Sequence, residues 1–412
     1  MSSLLLLMVL LLVAYFGSFL VGGERSVSGV GLPSSVEWVV LGVIVGPQAL
    51  GVVSTSLVDA VQSVVTVGLA WLMLTAGVQY AATSRGRVRI SRLFGSLPWA
   101  LATAGAVFAA VWFALPRIAP ELVPSRLVLS LALAAVSCET THHVMRWVRE
   151  RYGADGPLLD LVEDIAAAED LVPIGLLVAL FAIAHGSKIV GLGSTGVASV
   201  TVTLGVVLGA LSALLLGREF RLRESWGTVL GISLLGIGVS ATLGLAYVVV
   251  SFLIGAVLVG VSRHAGEIRA MLQPTERGAL LPVLIVCGVR IEPHEVTHTA
   301  AIFAVVLAAR IVTKVILARL LVVFEPDARA AGGALGFGML SCGSLTMCIG
   351  LVCAVTFPGQ VGSTVLGVCA ALCIAGELVG PPALRAALRR VDELHTAPKS
   401  NAPPPVKVEE AS

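Results

Sequence analysis

Apolar runs of about 20 residues recur along almost the whole chain, and they constrain its fold more than any other feature. A helix of about 20 predominantly apolar residues crosses the roughly 30 Å hydrocarbon layer of a bilayer. Because 57% of the residues are hydrophobic and only 13% are charged, no room is left for a soluble domain. We therefore predict an all-α polytopic membrane protein.

Breaks rich in charge, proline or glycine divide the apolar runs into about thirteen predicted spans. They lie near residues 3–22, 33–53, 60–82, 95–116, 125–147, 158–185, 195–217, 227–243, 246–263, 278–291, 298–322, 332–356 and 361–383. The first run resembles a signal peptide, but no Lys or Arg precedes it, which favours a span. Residues 1–390 are thus predicted to form one transmembrane domain, and the polar, Pro-rich residues 391–412 a disordered cytoplasmic tail.

The distribution of basic residues predicts the orientation of the chain. Lys and Arg near membrane spans are retained preferentially on the cytoplasmic side. With the N-terminus outside, 21 of the 27 Lys and Arg residues fall in cytoplasmic segments and only four in external loops. We therefore expect an integral protein of a bacterial inner (plasma) membrane, with the N-terminus outside and the C-terminus in the cytoplasm.

The cysteines indicate neither a disulfide framework nor a metal site. All seven fall inside predicted spans without metal-type spacing, so we interpret them as small packing residues. We expect no cofactor, no bound metal and no nucleic-acid partner. The sequence also has no recognisable nucleophile motif, so we predict that the protein is not an enzyme.

Two adjacent acids lie deep in the sixth predicted span. Glu169 and Asp170 are about a dozen residues into it, where a charge costs at least roughly 2.5 kcal/mol unless it is paired or hydrated. Neighbouring side chains on a helix point about 100° apart, so the two carboxylates can face different surroundings. Both are therefore candidate functional residues.

Three more acids precede this pair on the same span. Asp160, Glu163 and Asp164 form a stripe that leads from the cytoplasmic loop toward Glu169 and Asp170. Such a stripe would attract cations. An alternative interpretation is that these residues are first-turn acids, which the helix dipole favours.

The eleventh predicted span supplies positive charges at similar depth. Arg310 and Lys314 are four residues apart and share one helix face near the middle of the membrane. They are the obvious partners of the buried acids. For Lys314 in particular, the alternative is that its long side chain reaches the membrane interface.

Two predicted spans have polar interruptions. The fifth contains the run SCETTHH, which includes Ser137 and Glu139, and the twelfth contains LSCGSLT, which includes Ser341, Gly343 and Ser344. Broken helices at membrane depth expose backbone dipoles, and transporters use them in inverted repeats to bind ions near the midplane. We predict two broken crossing helices in two related halves.

These motifs resemble the monovalent cation:proton antiporter superfamily, which has the sodium/hydrogen exchanger fold, from about residue 30 to 385. The resemblance rests on five stretches in the same order: WVVLGVIVGPQALGVV, GLAWLMLTAGVQY, AAAEDLVP, GLAYVVVSFLIGAVLVG and GFGMLSCGSLTMCIG. Within the superfamily the chain is similar to a Kef-like branch without a cytoplasmic regulatory domain. The chain departs from the family pattern at two places: the first acid is Glu169, and Cys342-Gly343-Ser344 replaces a basic-Gly-acidic trio.

The resemblance implies roles for individual residues. Asp170, with Glu169, would bind the cation or proton, and Thr140 and Thr141 would lie at the crossing. Arg310, or Lys314 one turn on, would pair with Glu169. The resemblance further implies a homodimer whose core spans (95–185 and 298–383) move beside scaffold spans (3–82 and 227–291).

The favoured function is exchange of a monovalent cation, Na+ or K+, for protons by alternating access. The expected partners are those ions and the lipid bilayer. A sodium-coupled organic anion transporter of similar inverted-repeat fold is the main alternative, in which the basic residues would anchor the substrate. A passive channel and a metal-dependent membrane enzyme that uses Glu139, His142 and His143 are further alternatives.

Overall fold

The computed structural model describes residues 37–394, except for residues 61, 85–89, 186–192, 217–221, 292–295, 325–328, 330, 333 and 358. The predicted first span (3–22) and most of the predicted tail (395–412) lie outside the described residues. Within them, all regular secondary structure is helical. The prediction of an all-α fold is confirmed.

The helices follow one another with short connections. In chain order they are α1 (Glu37–Val45), α2 (Thr55–Ala60), α3 (Gln62–Ser84), α4 (Ile90–Ile118), α5 (Arg126–Cys138), α6 (His142–Tyr152), α7 (Pro157–Glu169), α8 (Leu171–His185), α9 (Ser194–Leu215), α10 (Leu222–Leu243), α11 (Tyr247–Val261), α12 (Ala265–Val289), α13 (Val296–Phe324), α14 (Ala334–Gly338), α15 (Ser344–Thr356) and α16 (Gln360–Arg390). A 3-10 turn, Pro120–Ser125, joins α4 to α5.

Eight segments of the described chain are long and apolar enough to cross a membrane. They are Gln62–Ala81, Leu97–Ile118, Pro120–Tyr152, Pro157–Ala184, Ser194–Leu215, Ser225–Leu243, Thr297–Val323 and Gln360–Arg390. Two shorter apolar helices, α11 and α15, accompany them. The chain is therefore an integral membrane protein, while the count of thirteen spans stays a prediction.

Helix α12 starts earlier than the sequence predicts. The tenth span was expected at 278–291, but α12 begins at Ala265. Its first half carries Arg269 and Glu276, which line an internal cavity, and Thr275 accepts a hydrogen bond from Trp71 Nε1 at 2.9 Å. Polar residues that looked like a loop thus form a helix because they face other protein groups rather than lipid.

Two pairs of helices pack backbone to backbone through glycine. An added Cβ at Gly77 of α3 would lie 2.0 Å from the carbonyl oxygen of Phe252, and one at Gly255 of α11 would lie 2.1 Å from that of Leu74. The same relation joins α1 and α12 through Gly42 and Gly288. Small residues permit such close approach in membranes, where packing rather than a hydrophobic driving force associates helices.

Glu393, which follows α16, binds the N-terminus of α7. Its Oε1 accepts from Leu158 N at 2.7 Å, and its Oε2 accepts from Leu159 N at 2.9 Å. These amides have no intrahelical partner, and the positive end of the helix dipole favours a carboxylate there. The end of the last helix is therefore fixed to the acidic helix α7.

We expect Glu393→Ala to lower the free energy of unfolding by about 0.5–2 kcal/mol, because two buried amides lose their acceptor. Thermal unfolding of the detergent-solubilised protein would measure the change. Asp392→Asn is the matched control, because Asp392 is an exposed neighbour. If both variants melt at the same temperature as the wild type, the Glu393 cap does not stabilise α7.

Candidate ion-binding site

Two interrupted helices cross at the centre of the site. Helix α5 ends at Cys138 and α6 begins at His142, with extended backbone between them (ψ 137° at Glu139 and 131° at Thr141). Helix α14 ends at Gly338, and α15 begins at Ser344. Thr141 N donates to Ser341 O at 3.1 Å and so joins the two interruptions. The prediction of two broken crossing helices is confirmed.

The crossing depends on a glycine. A Cβ at Gly343 would lie 2.2 Å from Thr141 Oγ1 and 3.1 Å from Glu139 Oε1. Gly343→Ala must therefore displace the neighbouring segment, and we expect it to lower the free energy of unfolding by about 1–3 kcal/mol. Gly105→Ala on α4 is the control, since open space surrounds that position. Equal thermal stability of the two variants would contradict this prediction.

Arg310 of α13 holds the crossing from one side. Its side chain is buried, and its NH2 group donates to Glu139 O at 2.5 Å and to Ser341 O at 3.5 Å. Its NH1 group contacts Cys342 Sγ. The carbonyls at a helix C-terminus lack intrahelical donors and carry partial negative charge. The positive charge of Arg310 therefore compensates the partial negative charge of carbonyls at both helix interruptions.

Lys314, one turn further along α13, holds the other side. Its Nζ donates to Cys138 O at 3.3 Å and to Thr140 Oγ1 at 3.0 Å, and it pairs with Glu169 Oε1. The ammonium and the Glu169 carboxylate are each only 1% exposed. The sequence left open whether Arg310 or Lys314 contacts Glu169, and the structure places Lys314 there.

Glu139 binds the N-terminus of α15, which carries partial positive charge. Its Oε2 accepts from Thr346 N at 2.7 Å and also contacts Thr346 Oγ1. Thr346 lies in the first turn of α15, where backbone amides have no intrahelical acceptor. Glu139 therefore caps α15 while its own carbonyl accepts from Arg310.

Asp170 lies where the acidic helix is interrupted. Pro173 has no backbone N–H, so it cannot donate to the carbonyl of Glu169, and the helical pattern is interrupted at the single residue Asp170, between α7 and α8, although the backbone of Asp170 stays right-handed helical. The side chain of Asp170 is 18% exposed, and its Oδ2 lies 3.3 Å from His142 Nε2. The two adjacent acids thus have different surroundings: Glu169 is buried against Lys314, whereas Asp170 faces a cavity.

The cavity beside Asp170 has a volume of about 220 Å³. It lies between the crossing and helices α3, α6, α7, α11, α12 and α15. Its charged or titratable lining residues are Tyr80, Glu139, His142, His143, Arg146, Arg149, Glu163, Asp170, Arg269, Glu276 and Cys348. Arg310 and Lys314 do not line it. The cavity can therefore admit a small ion to Asp170, while Arg310 and Lys314 stay behind the crossing.

A family model described as the transmembrane sodium/hydrogen exchanger matches residues 6–385. The chain belongs to the sodium/hydrogen exchanger family. No curated protein shows significant sequence similarity to it. This membership confirms the resemblance to cation:proton antiporters that the motifs indicated.

Solved structures show the same fold as this exchanger-family chain. The structure of the sodium proton antiporter MjNhaP1 from Methanocaldococcus jannaschii at pH 8 has a TM-score of 0.61 and 14% identity, and the match covers 94% of this chain and 98% of that one. An electron microscopy structure of the same antiporter has a TM-score of 0.60 and 14% identity, covering 96% and 100%. Family and neighbours together support cation:proton antiport across a membrane.

The predicted acidic stripe of the exchanger-family chain is partly paired. Arg149 NH2 lies 3.0 Å from Asp160 Oδ1 and 3.3 Å from Glu163 Oε1. Glu163 lines the cavity, whereas Asp160 and Asp164 do not, and Asp164 is buried. Their predicted role in cation entry stays a prediction.

The polar residues predicted at the crossing have separate contacts. Thr140 Oγ1 donates to Met339 O at 3.0 Å, Ser137 Oγ donates to Leu133 O at 2.5 Å, and Ser344 Oγ lies 3.4 Å from His143 Nε2. Thr141 Oγ1 accepts from His143 N at 3.3 Å and so caps α6. Thr141 and Ser344 line the cavity, and Ser137, Thr140 and Ser341 are buried beside it.

Gln79, Tyr80 and Glu276 are among the cavity residues that the sequence analysis did not single out. Gln79 Nε2 of α3 donates to Glu276 Oε2 of α12 at 2.5 Å, Tyr80 lies beside Gln79, and His143 Nε2 lies 3.9 Å from Glu276 Oε1. For Glu276, the sequence feature that could have indicated its place was the polar stretch before residue 278, which forms a helix facing the cavity.

Among the described residues, no group of three or more His, Cys, Asp or Glu residues is arranged to hold a metal ion.

Proposed function

We propose that the protein exchanges a monovalent cation, Na+ or K+, for protons by alternating access, with Asp170 as the binding carboxylate. The observation that carries the proposal is that Asp170 faces the cavity, whereas its neighbour Glu169 is neutralised by Lys314. No Lys or Arg in the described part of the chain lies within ion-pair distance of Asp170. A cation that enters the cavity thus finds an accessible carboxylate without a fixed counter-charge.

Competition at this carboxylate would couple the two fluxes. A carboxylate binds either a proton or a cation, and each ligand leaves the site with the same net charge. Main-chain and hydroxyl oxygens at the break and the crossing, including Thr141 Oγ1, are the hard donors that a dehydrated alkali cation requires. Binding either ligand would neutralise Asp170 and lower the cost of moving it through the membrane.

Alternating access would require the crossing to move as a unit. The backbone contact between Thr141 and Ser341, with Arg310 and Lys314 across it, links segments from both halves of the chain. We propose that this unit belongs to a core of residues 95–185 and 298–383, which moves against a scaffold of residues 3–82 and 227–291 in a homodimer. Arg149 and Arg269 line the cavity and fall between predicted spans on the predicted cytoplasmic side, so the cavity would open to the cytoplasm.

The contacts of the basic residues disfavour sodium-coupled transport of an organic anion. In that mechanism Arg310 and Lys314 would have to anchor the substrate. Both are about 1% exposed, and their hydrogen-bonding groups face backbone carbonyls and Glu169 instead. The family and the neighbours are transporters, in agreement with the expectation that the chain is not an enzyme.

Purified full-length protein in sealed vesicles with an imposed proton gradient would test the proposal. We expect Na+ or K+, added to the outside, to dissipate the gradient, as reported by recovery of a quenched pH-sensitive dye. A Li+ salt extends the series of alkali cations. A choline salt with the same anion tests whether the anion alone changes the gradient. Dissipation that needs no added cation, or that depends on an organic anion, would overturn the proposal.

A further inference from the structure

We propose that the phosphate of an anionic phospholipid headgroup binds where the ends of α6 and α16 meet, against Arg385 and Arg389 of α16 and beside Tyr152 of α6. The site is separate from the cavity beside Asp170, because none of these three residues lines that cavity. Its ligand is a component of the bilayer, so the site does not depend on which ion the protein transports.

Four side chains at these helix ends stack in series. Arg385 lies over the Tyr152 ring, with its Cζ atom 4.4 Å from the ring centroid. Tyr152 packs edge-on against Trp147, with 5.6 Å between the centroids and an interplanar angle of 81°. The Cζ atom of Arg151 lies 5.8 Å from the centroid of the Trp147 ring. Guanidinium groups are attracted to the faces of aromatic rings, so the two rings hold two positive charges in place.

Stacking leaves the hydrogen-bond donors of Arg385 available. Its five N–H groups lie in the plane of the guanidinium, whereas the Tyr152 ring contacts only the face of that plane. The side chain is exposed, and no carboxylate of the described chain lies within ion-pair distance of it. Glu393, which follows α16, gives both carboxylate oxygens to amides of α7. Arg385 can therefore bind a phosphate through two parallel hydrogen bonds.

A second exposed arginine lies next to Arg385. Arg389 is four residues further along α16, and side chains at this spacing are neighbours on one helix face. Two like charges at this spacing repel each other, and an anion bound to both offsets that repulsion. The helix dipole favours basic residues in the last turn, such as Arg389, but Arg385 lies before that turn. The dipole therefore does not explain Arg385.

The location favours a lipid phosphate over a phosphate in solution. The apolar segments Pro120–Tyr152 and Gln360–Arg390 both end at this site, so it lies at one boundary of the bilayer. Trp and Tyr side chains are enriched at the level of the lipid headgroups. Basic pockets between membrane helices bind anionic headgroups at that level. A lipid of the phosphatidylglycerol type supplies both the negative charge and acyl chains that match the apolar helices below.

A lipid bound here would brace the crossing of the interrupted helices. Helix α6 begins at His142, directly after the crossing. Gly376 of α16 packs so closely on the other interruption that a Cβ there would lie 2.7 Å from Leu340 O. A phosphate that holds the ends of α6 and α16 together therefore stabilises the packing of both segments. The measurable effect is a higher melting temperature with the lipid bound.

Thermal unfolding of the full-length protein in a neutral detergent would test for this site. Phosphatidylglycerol or phosphatidylcholine with the same acyl chains is added at increasing concentration, and NaCl is held constant so that ion binding elsewhere does not change. We expect phosphatidylglycerol to raise the melting temperature saturably and phosphatidylcholine to leave it nearly unchanged. For Arg385→Gln, the phosphatidylglycerol concentration that gives half the shift should rise about tenfold, because charge-assisted hydrogen bonds are lost.

Two variants provide matched controls. Arg319→Gln removes an exposed arginine near the end of α13 and should respond like the wild type. This end of α13 lies at the same end of the bundle, since Arg390 NH1 donates to Ala331 O at 3.2 Å. Tyr152→Phe keeps the ring beneath Arg385 and should also respond like the wild type, whereas Tyr152→Leu should weaken lipid binding by about threefold.

Three results would overturn the proposal. The first is a shift that is absent, or equal with the two lipids. The second is a response of Arg385→Gln to phosphatidylglycerol that matches the wild type. The third is an equal shift with inorganic phosphate at the same concentration, which would identify a site for soluble phosphate instead. Because each comparison uses the change on addition of ligand, a variant with a lower initial melting temperature is still informative.

Discussion

Asp170→Asn should abolish cation-driven proton movement in vesicles. The amide keeps the size and the hydrogen-bonding capacity of the side chain but can neither bind a proton near neutral pH nor supply the negative charge that attracts a cation. Asp170 is partly exposed and does not pair with Lys314, so the variant should fold normally. Dye recovery after addition of Na+ or K+ would measure the loss.

Asp155→Asn is the control for this experiment. Asp155 is an exposed carboxylate shortly before α7, and it does not line the cavity. We expect it to exchange at the wild-type rate. If Asp170→Asn also runs at that rate with a normal melting temperature, the binding carboxylate is not Asp170.

Lys314→Met should destabilise the protein by about 3–5 kcal/mol, because it leaves the Glu169 carboxylate buried and unpaired. It also removes the donor to Cys138 O and Thr140 Oγ1. Replacing both partners with apolar residues, as in Lys314→Met with Glu169→Leu, should recover most of this stability. Chemical unfolding of the four proteins of this double-mutant cycle would measure the coupling between the two side chains.

Arg319→Met is the matched control on the same helix, because Arg319 is exposed near the end of α13. A surface substitution of this kind usually changes stability by less than about 0.5 kcal/mol. A single Lys314→Met variant as stable as this control would show that Glu169 does not depend on Lys314. If the double variant regains stability but does not exchange ions, the Lys314–Glu169 pair also has a role in transport.

The site could be predicted from the sequence wherever depth alone identified a residue. Glu169, Asp170, Arg310 and Lys314 stand out because charge inside an apolar span is costly. The crossing could be predicted because polar residues such as those from Ser137 to His143 weaken a membrane helix. These inferences need only the local sequence and the bilayer.

Contacts between distant helices could not be predicted in this way. Arg310 and Lys314 share one helix face, so the sequence cannot say which of them meets Glu169. The contact of His142 with Asp170 depends on how α6 packs beside the break at Asp170. Glu276 was missed for a related reason, because a polar stretch that faces an internal cavity has the composition of an exposed loop.

The glycine contact between α3 and α11 fixes the register of these two helices. A slide by one turn would bring Met73 or Ala81 to the place of Gly77, and Ser251 or Val259 to that of Gly255. Each of these side chains would enter a space that admits no Cβ. Thermal agitation can therefore bend or tilt this helix pair as a whole, but it cannot shear one helix along the other.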